Sequence, residues 1–252
     1  MARHVTGSAA ALLPELPSWV RLVRAPNPGP MTLDGTNTWV LSAPGSGAAV
    51  VVDPGPLDEG HLTAVTAHGP ITTVLLTHGH PDHTDGLDRL VELTGATVLR
   101  GPDGEVQEAG VTIRPLATPG HTADSVCFHA RVGAEQPVVL TGDTILGRGT
   151  AIVAHPDGNL GDYLASLERL SELDGLPALP GHGPALADCG AAARFYLEHR
   201  RQRLEQVRAA VAAGARTPAD VVAVVYADVD RSLWPAAEWT VRAQLAYLES
   251  GP

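Results

Sequence analysis

The chain of 252 residues contains no lysine, and all 17 of its basic side chains are arginines. A lysine therefore cannot serve as a substrate clamp anywhere in the protein. Cysteine is also scarce, because Cys127 and Cys189 are the only two and do not amount to a disulfide framework. No apolar run approaches the roughly 20 residues that a membrane-spanning helix requires. These absences exclude a small disulfide-stabilised scaffold and a protein that spans a membrane.

The N-terminus does not have the pattern of a secretory signal. Its apolar stretch, residues 9–13, is broken by Pro14 and Glu15 and is too short for the hydrophobic region of a signal peptide. We therefore expect a soluble, cytoplasmic protein that has no membrane partner. The sequence does not predict an oligomeric state.

Acidic residues outnumber basic ones by 28 to 17, which gives a formal net charge of −11. A protein that binds nucleic acid through its phosphates usually presents a basic surface, so this balance disfavours an RNA partner. With 44% hydrophobic residues, the chain can bury a full core. Its length fits one large domain, alone or with a small appendage.

Apolar runs that end in turn residues alternate with helical patterns along most of the chain. The predicted strands cover residues 48–53, 73–77, 97–100, 111–116, 125–130 and 138–141. Helical patterns with leucine on one face cover residues 83–93 and 162–173. This alternation favours an α/β layered domain in which helices cover β-sheets.

The last quarter of the chain has only helical patterns. They cover residues 191–213, a segment that begins at Thr217-Pro218, and residues 235–248. We therefore predict a main domain over residues 1–188 and a small helical domain over residues 189–252. The first of these helices carries five arginines, at positions 194, 200, 201, 203 and 208. We interpret them as a solvated face paired with glutamates, and a stripe that contacts RNA is the alternative.

Three histidines and an aspartate lie within six residues, His78-Gly79-His80-Pro81-Asp82-His83, directly after a predicted strand. Burying so many polar groups without a metal would leave hydrogen-bonding atoms unpaired, which is costly. Three further candidates each lie in a turn after an apolar run, namely His121, Asp143 and His182. Loops on a rigid scaffold are where sites are usually built. These seven side chains predict a metal centre.

The order H-x-H-x-D-H, followed by a histidine, an aspartate and a histidine, resembles the signature of the metallo-β-lactamase superfamily. The resemblance implies a four-layer αβ/βα sandwich with the metals at one edge of two facing sheets. It implies one metal bound by His78, His80 and His121, a second bound by Asp82, His83 and His182, and Asp143 bridging the two. Asp53 matches an aspartate that supports the histidine loop, or it only forms the turn before Pro54.

Imidazole and carboxylate ligands without thiolate suit two zinc ions, and iron or manganese as alternatives. Two ions about 3.5–4 Å apart turn a bridging water into hydroxide near neutral pH. Asp82 can accept a hydrogen bond from this nucleophile and orient it, which makes it the candidate catalytic residue. The expected chemistry is hydrolysis at an electron-rich carbonyl or phosphoryl group.

Several branches of the superfamily share these seven ligands, so the ligands do not identify the substrate. Lactamases and glyoxalase II enzymes typically hold their substrates with lysine, which this chain lacks. The sequence more closely resembles the lactamase-beta-like branch, which includes a mitochondrial single-strand endoribonuclease and fungal polyketide thioesterases. This resemblance rests on residues 33–41 (LDGTNTWVL), 142–150 (GDTILGRGT) and 179–184 (LPGHGP), and on His199-Arg200 in a winged-helix-like region. A final β-hairpin wing would be expected there, and the sequence ends at Pro252 without one.

Asn37, Thr150 and His155 are candidates for lining a substrate pocket, although each also has an ordinary interpretation as a turn, loop or surface residue. We expect a small-molecule ester or thioester as the substrate, so that the partner is a small acyl compound. The alternative is a single-strand-specific endoribonuclease, which the net charge and the missing wing disfavour. A lactamase, a glyoxalase II or a non-catalytic binding protein fits the sequence less well.

Overall fold

The computed structural model describes residues 11–101 and 104–251. Ten strands are found there: β1 (Val20–Arg24), β2 (Asn37–Leu41), β3 (Ala49–Val52), β4 (Ile71–Leu76), β5 (Thr97–Arg100), β6 (Val106–Glu108), β7 (Val111–Ala117), β8 (Val126–Arg131), β9 (Val138–Gly142) and β10 (Ala178–Pro180). The same residues form seven α-helices: α1 (Glu59–Thr66), α2 (Pro81–Thr84), α3 (Leu87–Thr94), α4 (Leu160–Leu170), α5 (Cys189–Ala212), α6 (Pro218–Val225) and α7 (Trp234–Glu249). A 3-10 turn, Arg231–Leu233, precedes α7.

The strands form two five-stranded sheets. The first has the order β1-β2-β3-β4-β5, antiparallel from β1 to β3 and parallel from β3 to β5. The second has the order β10-β9-β8-β7-β6, antiparallel from β6 to β9, with β10 added parallel to β9. Each sheet therefore contains parallel strands whose carboxyl ends meet at one edge, where polar side chains can be gathered.

The two sheets face each other across an apolar core. Alternate residues of a strand point to opposite faces of its sheet. In β3, Val50 and Val52 pack between the sheets together with Phe128 and Leu140 of the second sheet, whereas Val51 packs on the outer face. Both faces of β3 are buried, which explains why its sequence is continuously apolar instead of alternating.

Helices cover the outer face of each sheet. Leu62 of α1 and Leu90 of α3 pack in one buried cluster with Val51 on the outside of the first sheet. Tyr163 of α4 and Tyr196 of α5 pack in another cluster over the second sheet. The predicted four-layer αβ/βα sandwich is therefore confirmed.

The C-terminal region is built on α5, which is 24 residues long. Its first half contributes Tyr196 to the cluster over the second sheet, and its second half contributes Val207 to a separate cluster with Val222 of α6 and Val241 of α7. The predicted domain boundary between residues 188 and 189 falls at the start of this shared helix and stays a prediction. No described helix is long and apolar enough to cross a membrane.

The single helix predicted over residues 83–93 is two helices, α2 and α3. Gly86 lies between them and donates its backbone N–H to the carbonyl oxygen of Gly55 at 2.9 Å. A Cβ atom at this position would lie 2.9 Å from the carbonyl oxygen of Pro56. The loop after β3 therefore packs closely against Gly86, at the point where the helix is interrupted. The hydrophobic pattern of residues 83–93 does not indicate this interruption.

Replacing Leu140 by alanine should destabilise the fold strongly. Leu140 is fully buried between the sheets, so the variant loses apolar contacts and leaves a cavity. We expect the free energy of unfolding to fall by about 2–5 kcal/mol, measured by urea denaturation. The control is Leu22→Ala in β1, whose residue is 38% exposed and whose loss should cost about 0.5 kcal/mol or less. Equal losses in the two variants would contradict the place of Leu140 in the core.

Candidate metal centre

The seven candidate metal ligands lie in loops at one edge of the two sheets. β4 runs into the loop that carries His78, His80, Asp82 and His83. Asp143 directly follows β9, and His182 follows β10 by two residues, while His121 lies in the turn between β7 and β8. The parallel pairs β3–β4 and β9–β10 therefore direct these loops toward each other, and the structure brings all seven side chains together.

His78, His80 and His121 each direct one ring nitrogen to a common point. Nε2 of His78 lies 2.9 Å from Nδ1 of His80, which lies 3.1 Å from Nε2 of His121. Two nitrogens bound at about 2.0–2.1 Å to a tetrahedral ion are themselves roughly 3.3 Å apart. The three nitrogens therefore fit the coordination of one divalent ion.

Asp82, His83 and His182 form a second convergent group. Nε2 of His182 lies 3.1 Å from Oδ2 of Asp82 and 3.3 Å from Nε2 of His83. Nε2 of His83 lies 3.5 Å from the same oxygen of Asp82. Both imidazoles are buried, whereas 29% of the Asp82 side chain is exposed. Asp82 is therefore the member of this group that solvent reaches.

Asp143 lies between the two groups. Its Oδ1 is 3.5 Å from Nε2 of His83, and its Oδ2 is 3.4 Å from Nε2 of His182 and 3.8 Å from Nε2 of His121. Oδ1 is buried and has no hydrogen-bond partner among the described residues, a costly condition that a bound cation would relieve. Oδ1 of Asp143 packs closely against the backbone at position 181. Glycine is required there, because a Cβ atom would lie 2.5 Å from this oxygen.

Asp53 stabilises the histidine-containing loop after β4 through three polar contacts. Its Oδ1 accepts the backbone N–H of Thr77 at 2.8 Å, and its Oδ2 accepts the Thr77 hydroxyl at 2.6 Å and lies 2.8 Å from Nδ1 of His83. When Nδ1 of His83 donates a hydrogen bond to this carboxylate, the other ring nitrogen, Nε2, faces Asp82 and His182 without a proton and can bind a metal. Asp53 therefore occupies the position that the predicted supporting role requires.

His121 is oriented by the backbone. Its Nδ1 donates to the carbonyl oxygen of Ile152 at 2.6 Å, which directs Nε2 toward His80. This contact joins the ligand cluster to the loop that follows Thr150. The loop and the metal centre are therefore held as one unit.

The buried carboxylate and imidazoles shift each other's pKa. Burial raises the pKa of Asp143, but the imidazoles of His83 and His182 outweigh burial and hold it well below its usual range. Burial lowers the pKa of His182, but the carboxylates of Asp143 and Asp82 outweigh it and raise the pKa to about 10. Burial lowers the pKa of His83 as well, but the carboxylates of Asp143, Asp53 and Asp82 together outweigh burial and raise it. Burial and then the neighbouring His83 hold the pKa of His78 well below its ordinary value.

A cavity of about 320 Å³ opens beside the ligand cluster. Its lining includes His121 and Asp143 of the ligand cluster, together with residues of α7 and of the segment after α6. Much of its wall is apolar and includes Met31, Leu33, Leu146, Ile152, Val229 and Leu233. Largely apolar cavities of this size with a few polar groups are typical of small-molecule sites.

The three predicted pocket residues lie in different surroundings. Thr150 lines the cavity. The side-chain amide of Asn37 is buried and donates to the carbonyl oxygens of Pro180 and Gly183 at 2.9 and 2.8 Å, which fixes the loop after β10. His155 is exposed and is not among the described residues that line the cavity. A substrate-contacting role for these three side chains stays a prediction.

The arginines of α5 differ from the expected solvated face. Arg200 and Arg203 are only 3% and 9% exposed, and both line the cavity. Arg201 does lie in solvent, where it pairs with Glu168 at 3.2 Å. The spacing of three residues between Arg200 and Arg203 places them on one face of a helix, but only packing decides that this face is buried.

Comparison with known families identifies two regions of the chain. Residues 31–107 and 98–182 match the model of the metallo-beta-lactamase superfamily. Residues 217–250 match the beta-lactamase associated winged helix domain. The first match contains all seven clustered ligands, and the second covers α6 and α7.

Several curated proteins are similar to the chain over most of its length. A lactamase-like protein of Penicillium aethiopicum is 32% identical, covering 92% of this chain and 80% of the relative. The beta-lactamase-like protein 2 homolog of Drosophila melanogaster is 32% identical, covering 95% and 91%. The atrochrysone carboxyl ACP thioesterase of Aspergillus fumigatus is 32% identical, covering 87% and 79%.

Solved structures share the fold. A beta-lactamase domain protein from Burkholderia ambifaria has a TM-score of 0.77 at 23% identity, covering 94% of this chain and 88% of the neighbour. A second structure, solved in a di-iron-bound form, has a TM-score of 0.55 at 27% identity, covering 69% and 98%. The likeness to the first concerns the fold alone.

Replacing Asp53 by asparagine should weaken metal binding. The amide cannot take up a proton or carry the negative charge that orients His83, and loss of such supporting contacts typically lowers metal affinity by roughly 10- to 100-fold. Competition with a chromogenic zinc chelator measures this loss. Asp88→Asn, at an exposed position of α3, is the control and should match the wild type. An unchanged affinity in the Asp53 variant would contradict the supporting role.

Zinc binding at pH 7.5 should release protons. The carboxylates of Asp143 and Asp82 outweigh burial and raise the pKa of His182 to about 10 in the metal-free protein, so its imidazole is protonated at this pH, and an imidazole must lose its proton to bind a metal. Calorimetric titration in buffers of different ionisation enthalpy should show release of at least the one proton that His182 holds. Affinity should fall as the pH is lowered, because further imidazoles become protonated. A titration without proton release would contradict the raised pKa of His182.

Proposed function

We propose, from the premise that this chain belongs to the metallo-β-lactamase superfamily, that it hydrolyses a small acyl thioester or ester. Its family and its thioesterase relatives make it a metal-dependent hydrolase. The observation that carries the proposal is the largely apolar cavity of about 320 Å³ into which His121 and Asp143 open. An acyl group buried there would gain from the removal of apolar surface from water.

Two groups of side chains would hold two divalent ions in this proposal. The first ion would be held by His78, His80 and His121, the second by Asp82, His83 and His182, and both by Asp143. Nitrogen and oxygen donors without thiolate suit zinc, and iron or manganese fit the same donors. The unpartnered Oδ1 of Asp143 supports a cation between the groups. When bound, the ions supply an acidified water molecule and positive charge near the scissile carbonyl.

Asp82 is the residue that we propose to position the attacking water. It is more exposed than Asp143, with 29% of its side chain accessible against 12%. Its Oδ2 accepts a hydrogen bond from the Thr36 hydroxyl at 3.4 Å and lies 3.1 Å from Nε2 of His182, so two neighbouring groups orient the carboxylate. A carboxylate held in this way can accept a hydrogen bond from water and aim the water at a substrate.

The endoribonuclease alternative has less support. The net charge of −11 opposes binding of a polyanion. The exposed Arg201 and Arg208 of α5 already pair with glutamates at 3.2 and 3.6 Å, and Arg200 and Arg203 are buried. The helix therefore does not present the continuous basic stripe that an RNA backbone would contact.

The zinc-loaded protein should cleave acyl-pantetheine thioesters, with the released thiol measured by a chromogenic reagent. The rate should hardly change with salt, because apolar walls and buried polar groups hold the substrate. Asp143→Ala should lower kcat/KM by more than roughly 100-fold, since a ligand to both ions is lost. Asp157→Ala, at an exposed position, is the control and should keep the wild-type rate.

Cleavage of single-stranded RNA in place of thioesters would reverse this proposal. Such cleavage should weaken steeply with salt, with a log–log slope of about −0.7 for each neutralised phosphate. Arg201→Glu should then weaken it further. A thioesterase that is indifferent to Arg201→Glu would contradict the RNA alternative.

A further inference from the structure

The wall of the cavity contributed by α5 carries two buried cationic side chains. Arg200 and Arg203 are one helical turn apart, and both line the cavity. Their exposed fractions, 3% and 9%, are far below those of ordinary surface arginines. Neither is one of the seven metal-centre side chains, so the proposed hydrolytic reaction leaves them without a role.

The hydrogen bonds of the two guanidinium groups go to neutral acceptors. Arg200 donates from an Nη atom to the carbonyl oxygen of Ala151. Arg203 donates to the carbonyl oxygen of Val225 at 2.6 Å and to the side-chain oxygen of Gln206 at 3.0 Å. Arg200 also lies over the ring of Tyr163, at 5.2 Å from its centroid, and Arg203 over the ring of Tyr226, at 4.8 Å. All of these contacts are with neutral groups and supply no counter-ion.

The donor capacity of Arg200 is not filled. Its Nε is buried without a hydrogen-bond partner in the described part of the chain, although an arginine has five N–H donors to satisfy. A buried charge without a counter-ion is destabilising, and a cation–π contact offsets only part of that cost. An anionic group placed in the cavity would offset both costs.

The cavity itself supplies almost no negative charge. Asp143 is the single acid among its described lining residues, whereas Arg148, Arg200 and Arg203 are three cations. Arg148 is paired with Asp34, whereas the hydrogen bonds of Arg200 and Arg203 go to neutral acceptors. His199 lies in the same wall, and burial and then the two adjacent arginines lower its pKa to about 4. The α5 wall of the cavity therefore carries two positive charges, those of Arg200 and Arg203, that are hydrogen-bonded only to neutral acceptors, in a protein whose net charge is −11.

We propose that Arg200 and Arg203 bind an oxyanion, a carboxylate or a phosphate, that the substrate carries away from its scissile bond. This inference rests on the proposed thioester hydrolysis. A carboxylate would belong to the acyl group, and a phosphate would belong to the thiol, as in phosphopantetheine. Arginine suits either, because its planar fork donates two parallel hydrogen bonds to such groups.

Three matched thioesters test the proposal in the zinc-loaded protein: octanoyl-pantetheine, 7-carboxyheptanoyl-pantetheine and octanoyl-phosphopantetheine. We expect kcat/KM for one of the two anionic substrates to exceed that of the neutral one by roughly 10- to 100-fold, the worth of a charge-assisted hydrogen bond. The substrate that gains identifies the source of the oxyanion. Equal kcat/KM for all three would overturn the proposal while leaving the thioesterase function in place.

Variants assign the preference to the arginines. Arg203→Gln should remove most of it, Arg203→Lys should keep part of it, and the exposed neighbour Arg201→Gln should keep all of it. Thermal unfolding and zinc content show whether each variant is folded and loaded. If Arg203→Gln does not fold, the preference for the anionic substrate is measured in Arg203→Lys and Arg200→Gln instead. A preference that survives loss of either arginine would overturn the proposal.

A binding measurement separates this inference from the proposed function. Thioether analogues, in which a CH2 group replaces the scissile carbonyl, cannot be hydrolysed and can be titrated calorimetrically. One outcome is that the protein cleaves no thioester and still binds an anionic analogue at least roughly 10-fold more tightly than the neutral one. If Arg203→Gln then removes this difference, the result supports the oxyanion site and contradicts thioester hydrolysis. Equal affinities for the anionic and neutral analogues would overturn the oxyanion site.

Discussion

The buried carboxylate of Asp143 is the interaction on which the arrangement of the site depends. A carboxylate with 12% of its side chain exposed is costly unless positive or hydrogen-bonding groups face it. Imidazoles from loops of both sheets do so, with Nε2 atoms of His83, His182 and His121 at 3.5, 3.4 and 3.8 Å. The same charge raises the pKa of His182 to about 10. A metal ion that binds His182 would therefore have to displace the proton that this side chain holds at neutral pH.

Close approach of the backbone makes this clustering feasible. Gly142, which precedes Asp143, has a φ of +47°, and a Cβ there would lie 2.6 Å from the Cβ of Thr77. Thr77 is in turn the residue that Asp53 fixes through two hydrogen bonds. A larger residue at position 142 would push the loop after β9 away from the loop after β4. The metal centre thus depends on contacts between backbone segments as much as on its ligands.

The long helix α5 connects the metal centre to the C-terminal helices and gives the cavity its second wall. Arg200 binds the carbonyl oxygen of Ala151, and the carbonyl of the next residue, Ile152, orients His121. A substrate that contacts Arg200 would therefore touch the segment that also positions a metal ligand. In a chain without lysine, the buried guanidinium groups of α5 are cations that line this cavity, and the proposed oxyanion site depends on them.

The sequence by itself indicated an α/β layered domain and identified the clustered side chains, because H-x-H-x-D-H and the later turn residues are local patterns at the ends of apolar strands. Its resemblance to the metallo-β-lactamase superfamily implied the αβ/βα sandwich. The sequence also placed most of the strands, since runs such as residues 49–52 are buried on both faces. The tertiary structure alone decided the break at Gly86 and the burial of Arg200 and Arg203. The break at Gly86 depends on the loop after β3, and the burial of the two arginines depends on the segments that form the cavity with α5. A local sequence pattern carries no information about a neighbour that is distant along the chain.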